Sequence, residues 1–576
     1  MANYTVKNLT GDALTEGSLL YAIAQVNAGL YDGITFDSSL NGSVIDFSEL
    51  ETLNGTVSVS NGTLDNFTGE ITVTSEGDGY GITGSRGTRS ITNSTGSITV
   101  NASANAYGIN SYFQESTSYY DRTTSLDFNS MALNLTIAST TSDAFGIRMY
   151  SYLYRVSNYS DYRKSTCKLI ADDIVGDISV NAALCGYGIN LYGYGDGGNG
   201  YANLDVDTIS SHITVTGGTD AYGIYAYGSA SNGAEISVKE LNENVDITAG
   251  TGTAYGIYSS GKINGGYKEV VTKEAEYAED GTLISEAVTE SQEQAMIVSG
   301  HVTVSSESGA AYGVATNGSM LLSIADTGKI SGNSTNGTAY GVWTGGLLTL
   351  KSMAGEIILN TEGTAGTTIG IHAASGMFEN ITGNINVTTS AAGYGIGGSY
   401  GSRNITNSTG SITVKAIDRA VGIEGNYSYN YSNATTSLTF DEMALLLNIT
   451  SSSKDAYGIR LNTNNDYYYY HNEVRSNLTT GDITGHITVT GALDGYGIYL
   501  YGRSGFGYAN LDAETISSNI TVNGGTDAYG IYAYGSASNG AEISVKELNG
   551  NVDITAGTGY RPCMDLTEIV PPISGR

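Results

Sequence analysis

Histidine and aspartate are the residues of this chain that could carry acid–base chemistry, and both recur in register. His212, His301 and His486, three of the five histidines, stand just before Ile-Thr-Val or Val-Thr-Val segments. Asp143, Asp220, Asp455, Asp494 and Asp527 each stand two residues before the aromatic of an aromatic-Gly-Ile triplet. Catalysis needs one such group within reach of one substrate. A residue type that returns in repeat after repeat instead suits a turn, where an Asx side chain binds nearby backbone. The repetition therefore favours structural roles, and no catalytic residue is assigned. The three cysteines, Cys167, Cys185 and Cys563, offer neither a disulfide framework nor a zinc spacing.

Tyrosine offers contact chemistry. The chain holds 44 of them, clustered at Tyr112–Tyr120, Tyr150–Tyr162, Tyr427–Tyr431 and Tyr467–Tyr470. Each cluster follows an aromatic-Gly-Ile type triplet, in a repeat longer than most. The rings could stack on one another as a ladder. They could also stand on loops that hold a glycan or a protein, with Tyr119, Tyr120, Tyr152, Tyr154, Tyr429, Tyr431, Tyr467, Tyr468, Tyr469 and Tyr470 as the expected contacts. The segment Gly197-Gly198-Asn199-Gly200-Tyr201-Ala202-Asn203-Leu204-Asp205 is similar to a glycine-rich calcium nonapeptide. Ala202 stands where the ligating Asp belongs, so neither a metal nor any other cofactor is assigned.

The elements that must position these residues are repeats. Counted as a small or aromatic residue, Gly, then Ile or Val, the triplet occurs fourteen times, from Tyr80-Gly81-Ile82 to Tyr529-Gly530-Ile531. Most copies follow a short alternating segment such as Ser97-Ile98-Thr99-Val100. Alternation places Ile and Val on one face and Thr on the other. Strand, Gly-rich turn and strand, at a pitch of about 27 residues, predict one coil of a parallel β-helix, with the triplet glycine at a bend. A larger duplication overlies this one: Ile91–Val100 recurs unchanged as Ile405–Val414, and Gly217–Asn242 as Gly524–Asn549. A solenoid tolerates such duplication because each coil needs only its neighbours.

Four regions follow. Residues 1–40 are an N-terminal cap, in which Leu19, Leu20, Ile23 and Val26 form the apolar face of a short helix. Residues 41–559 are the solenoid, a super-repeat over 66–379 and a partial copy over 380–558. The charged stretch with Asp280-Gly281 at its centre predicts a hairpin inserted at about 266–297, dispensable to the rod. Residues 560–576 hold all three prolines and depart from the repeat, as a frameshift or an expression scar would. The fold class is all-β, a parallel β-helix of about sixteen coils.

Composition narrows the function. The net charge of −32 disfavours nucleic acid as a partner. No apolar run is long enough to span a membrane as a helix. The opening Met-Ala-Asn-Tyr-Thr-Val lacks the basic and apolar regions of a signal peptide.

Gly17-Ser18-Leu19-Leu20-Tyr21-Ala22-Ile23, Asn27 and Asp32-Gly33-Ile34-Thr35-Phe36 resemble the opening of bacterial surface β-helix proteins, with Leu20 in place of the usual Arg. The Tyr-Gly-Ile coils resemble passenger domains of autotransporter-type adhesins. That resemblance implies a right-handed helix, a cell-surface or extracellular place, and a non-catalytic adhesin or stalk that meets a host or matrix glycan or protein. The family's membrane barrel is absent from this sequence. Two alternatives stand beside it: a polysaccharide-active β-helix enzyme, although the Gly-His-Gly of pectin hydrolases does not occur, and a fragment without activity of its own.

Overall fold

The structure is a computed structural model. It describes residues 2–557 except 86, 116–120, 154–162, 196–198, 232, 274–275, 278–282, 286–287, 399–400, 429–432, 465–472, 505 and 538–539, and leaves the side chains of 270–288 and 427–428 undescribed. The tail from 558 lies outside the described residues.

The chain winds as a parallel β-solenoid. One ladder has sixteen strands, one per coil, running from Thr52–Leu53 to Val552–Ala556. Register repeats from coil to coil: Ile98 pairs with Ile71 on one side and Leu135 on the other, and Leu135 pairs in turn with Ile178. All four side chains are buried. Each such aliphatic group contributes roughly 1.5–3 kcal/mol, and the next coil repeats the gain.

Most coils have three strands, one more than the strand–turn–strand unit expected from sequence. After the alternating strand (Ser97–Ala102 in one coil) comes the aromatic-Gly-Ile strand (Ala106–Glu115), then a third (Arg122–Met131). The second and third ladders are joined in one 32-stranded sheet, because Ala339–Met353 and Thr367–Glu379 run through both. The third strand escaped notice because its Thr-, Ser- and Asp-rich sequence carries no recurrent triplet.

The triplet glycine lies inside a strand, not at a bend. Tyr107 pairs with Phe145 and Ile109 with Ile147, while Gly108 and Gly146 fall between the paired positions. A Cβ on Gly108 would stand 2.6 Å from the Gly146 carbonyl and 2.8 Å from Ile137 Cδ1. The glycines form a column that lets neighbouring coils touch backbone to backbone. Their φ is ordinary, so the requirement is space.

The N-terminal helix, Leu19–Asn27, starts at Ser18, whose Oγ accepts from the Tyr21 N–H at 3.1 Å. Its buried face is Leu19, Ala22 and Val26, while Leu20 and Ile23 are half-buried. Ala22 takes the place expected for Leu20 because spacings of three and four residues share a face. Asn27 fixes the helix end to the first coil, donating to Thr52 O (2.7 Å) and accepting from Asn54 N (2.8 Å). Tyr267–Lys273 and Val288–Glu293 leave the parallel ladders and pair antiparallel with each other. Among the described residues no helix is long and apolar enough to cross a membrane.

Candidate functional site

The aromatic-Gly-Ile strand directs the residues zero, three, five and seven places after the start of the triplet to the outer face. In-register pairing then lines up equal positions of successive coils. At position zero, Tyr80, Tyr107, Phe145, Tyr187, Tyr222, Tyr255, Tyr312 and Tyr340 stack, with centroids 4.7–5.4 Å apart and planes within 11°. A second column of Tyr112, Tyr150, Tyr192 and Tyr227 runs beside it at 5.0 Å steps. The step is the strand spacing itself, so the fold dictates a continuous ring stack. Each stacked pair is worth about 0.5–1.5 kcal/mol beyond burial.

Of the tyrosines expected to contact a ligand, Tyr152 alone falls among the described residues. Its ring stacks on Tyr194 at 4.5 Å and lies 6.0 Å from Tyr150. Tyr119, Tyr120, Tyr154, Tyr429, Tyr431, Tyr467, Tyr468, Tyr469 and Tyr470 lie outside the described residues. A stacked ring offers its edge and hydroxyl outward and hides its faces, so a planar partner can lie flat only where a column begins or ends.

The second column begins at Tyr112. It stacks on Tyr150 alone and is 37% exposed. Before it the ladder steps down to Thr83 and Ser85, and the step opens a groove of about 530 Å³ lined also by Ser58, Asp78, Asn110 and Arg148. The Arg148 guanidinium carbon lies 4.8–5.2 Å from the centroids of Tyr107, Tyr112, Phe145 and Tyr150. These rings stabilise the cation, and among the described residues no carboxylate pairs with it. Asn110 is 4% exposed; its Nδ2 reaches Thr83 Oγ1 at 3.4 Å, while its Oδ1 receives no hydrogen bond. Asp78 is already engaged: Oδ1 accepts from Asn105 N (3.0 Å) and Nδ2 (3.1 Å), and the Tyr80 hydroxyl donates to Oδ2 (3.3 Å). Beneath the groove lies Arg89, 2% exposed, donating to Val59 O at 3.0 Å. Sequence reading passed over Asn110, Tyr112 as a column end, and Arg148. Their fixed offset from the glycine was the available signal.

The chain matches no protein-family model, no curated protein and no solved structure. The functional reading therefore rests on this geometry.

The recurrent aspartates join coil to coil rather than closing turns of their own. Asp143 Oδ1 accepts from Cys185 N (3.0 Å), Asp220 Oδ1 from Thr253 N (2.5 Å) and Asp494 Oδ1 from Asp527 N (3.2 Å). Each side chain supplies an acceptor to the backbone of the following coil, which a repeat without tight turns requires. Burial pushes the Asp494 carboxyl above its usual range, helped by the like charges of Asp455 and Asp527. Two of the histidines also serve the next coil: His212 Nε2 lies 3.0 Å from Glu243 Oε2, and His486 Nδ1 accepts from Asn519 N at 3.3 Å. His301 is exposed on its strand. Among the described residues no group of three or more His, Cys, Asp or Glu could hold a metal.

Burial in the columns pushes the phenols of Tyr80, Tyr150, Tyr312 and Tyr457 up to about 12. A folded value above the unfolded value of about 10 means stability that is complete below pH 10 and lost as pH rises through 12. The last part of the phenolate absorbance, from the column tyrosines, is expected to appear together with loss of the β-sheet dichroism. Ionisation of all the tyrosines near pH 10 with dichroism intact would contradict the burial of the columns.

Proposed function

We propose that this chain is a non-catalytic rod that displays an adhesive face at a cell surface or outside the cell, where it meets a host or matrix glycan or protein. The observation that carries this reading is the pair of adjacent tyrosine columns, which fill one outer face and end on an open groove. Tyrosine gives wide amphipathic area at low entropic cost, which suits sugar and protein surfaces. Similar faces at successive heights let weak contacts add. The net charge of −32 keeps a Gly- and Tyr-rich rod soluble.

The test is binding of the whole chain to cells, matrix proteins and a glycan array, beside a variant with Tyr467, Tyr468, Tyr469 and Tyr470 replaced by Ser. Binding by the parent, reduced several-fold in the variant at unchanged melting temperature, is the expected result. No binding by the parent to any of these surfaces would overturn the reading.

A further inference from the structure

The duplication supplies an internal comparison for the groove. Asn110 corresponds to Glu424 at the offset of 314 that relates the two copies, and Arg148 corresponds to Arg460. In both copies these residues are direct neighbours on adjacent coils: Asn110 pairs in register with Arg148, and Glu424 with Arg460. In the second copy Arg460 Nη1 donates to Glu424 Oε1 and both residues are 8% exposed. There the tyrosine column is replaced as well, since Asn426 and Asn462 stand for Tyr112 and Tyr150 and hydrogen-bond to each other at 2.9 Å. The second copy is thus closed by its own carboxylate and its own amides.

The first copy keeps the arginine and lacks the acid. It also keeps a second buried cation, Arg89, equivalent to Arg403, with Nε and Nη2 unpartnered. The buried Asn110 Oδ1 receives no donor, and buried acceptors ordinarily find one. Beside them is the first end of the Tyr112 column. A guanidinium with no carboxylate partner among the described residues and an aromatic face with no ring stacked before it are two complementary demands. One ligand class that meets both is a pyranose that bears a carboxylate.

We infer that the groove between Ser58 and Arg148 binds a carboxylated sugar, with the carboxylate on Arg148 in the place Glu424 takes in the second copy and the ring face on Tyr112. This inference rests on the adhesive reading above and narrows it to one site and one ligand class. Arg148 takes a carboxylate in two parallel hydrogen bonds, a geometry that lysine does not reproduce. Asp78 also lines the groove and keeps its charge, so the acid must be held by Arg148 against it.

The experiment is calorimetric titration of the whole chain with digalacturonate, its methyl ester, sialyllactose and neutral lactose, with the glycan array run in parallel. Binding of at least one acid is expected. The ester and the neutral sugar should bind at least about tenfold more weakly, the loss of one good charge-assisted interaction. Asn110→Glu copies the second repeat, so it should fold at least as well as the parent and lose the acid at least about tenfold. Arg148→Gln should lose it similarly, and Arg148→Lys should restore little. Preference for digalacturonate or for sialyllactose tells a uronate from a sialate. Equal binding of acid and neutral sugar, or full binding by well-folded Asn110→Glu, would overturn the inference. So would absence of acid binding by the parent. In each of those cases array or cell binding by the parent would leave the adhesive reading standing, and its absence there would remove both.

Discussion

Gly223→Val is expected to unfold the coils around it, at a loss of about 3 kcal/mol or more. A Cβ at this position would stand 2.5 Å from the Gly256 carbonyl and 2.6 Å from Val245 Cγ1. Backbone lies on one side and packed core on the other, so neither can give way cheaply. The added methyls of Val enlarge the clash. Gly77→Ala is the control, because the nearest atom to its added Cβ is Ser75 Oγ at 4.0 Å. That change should stay within about 0.5 kcal/mol of the parent. Because a solenoid is held by nearest-neighbour interfaces, hydrogen exchange in Gly223→Val should accelerate over the neighbouring coils first, before the distant ones. Equal melting of the two variants would show that the column is not a contact requirement.

Arg89→Met should stabilise the protein by about 1 kcal/mol or more. Burial alone pushes the Arg89 guanidinium down to about 10, with no carboxylate beside it. The cation is held there without an opposite charge to offset its burial, which makes that burial unfavourable. Methionine fills a similar volume without the charge and keeps most of the packing. Arg403→Met is the comparison. Arg403 is as deeply buried and also pushed down to about 10, but Glu424 pulls the other way. Its removal takes a cation from the field of a buried carboxylate and should gain clearly less. The measurement is the denaturation midpoint of both variants at neutral pH. A loss of stability in Arg89→Met would mean that its bond to Val59 O outweighs the buried charge.

Much of the architecture was legible in the chain. The parallel solenoid and the number of coils follow from two short-range signals, the alternation of Ile and Val with Thr and the return of the aromatic-Gly-Ile triplet. Both are local, and a coil that repeats needs only local instructions. The third strand was not legible, because from coil to coil only an inward aliphatic residue returns, as Leu126, Leu169 and Leu204, among changing neighbours. The glycine's role was read one step wrongly. Sequence shows that glycine is required, but a bend and a backbone-to-backbone column require it alike. The same holds for Asp143 and its equivalents, whose acceptors serve the following coil and not their own turn.

The candidate site was hidden for a different reason. Sequence alone determined the coil, its inward and outward faces and the wealth of tyrosine on the outer one. The tertiary structure decided which outward residues become neighbours. Coils differ in length, so the residue beside Arg148 is set by strand register and not by any fixed separation along the chain. Register puts a neutral Asn110 there in one copy and an acidic Glu424 in the other, and it leaves Tyr112 at the head of its column with nothing stacked before it. A partnered charge and an unpartnered one read alike in a sequence, because pairing is a property of two coils and each coil is written without the other.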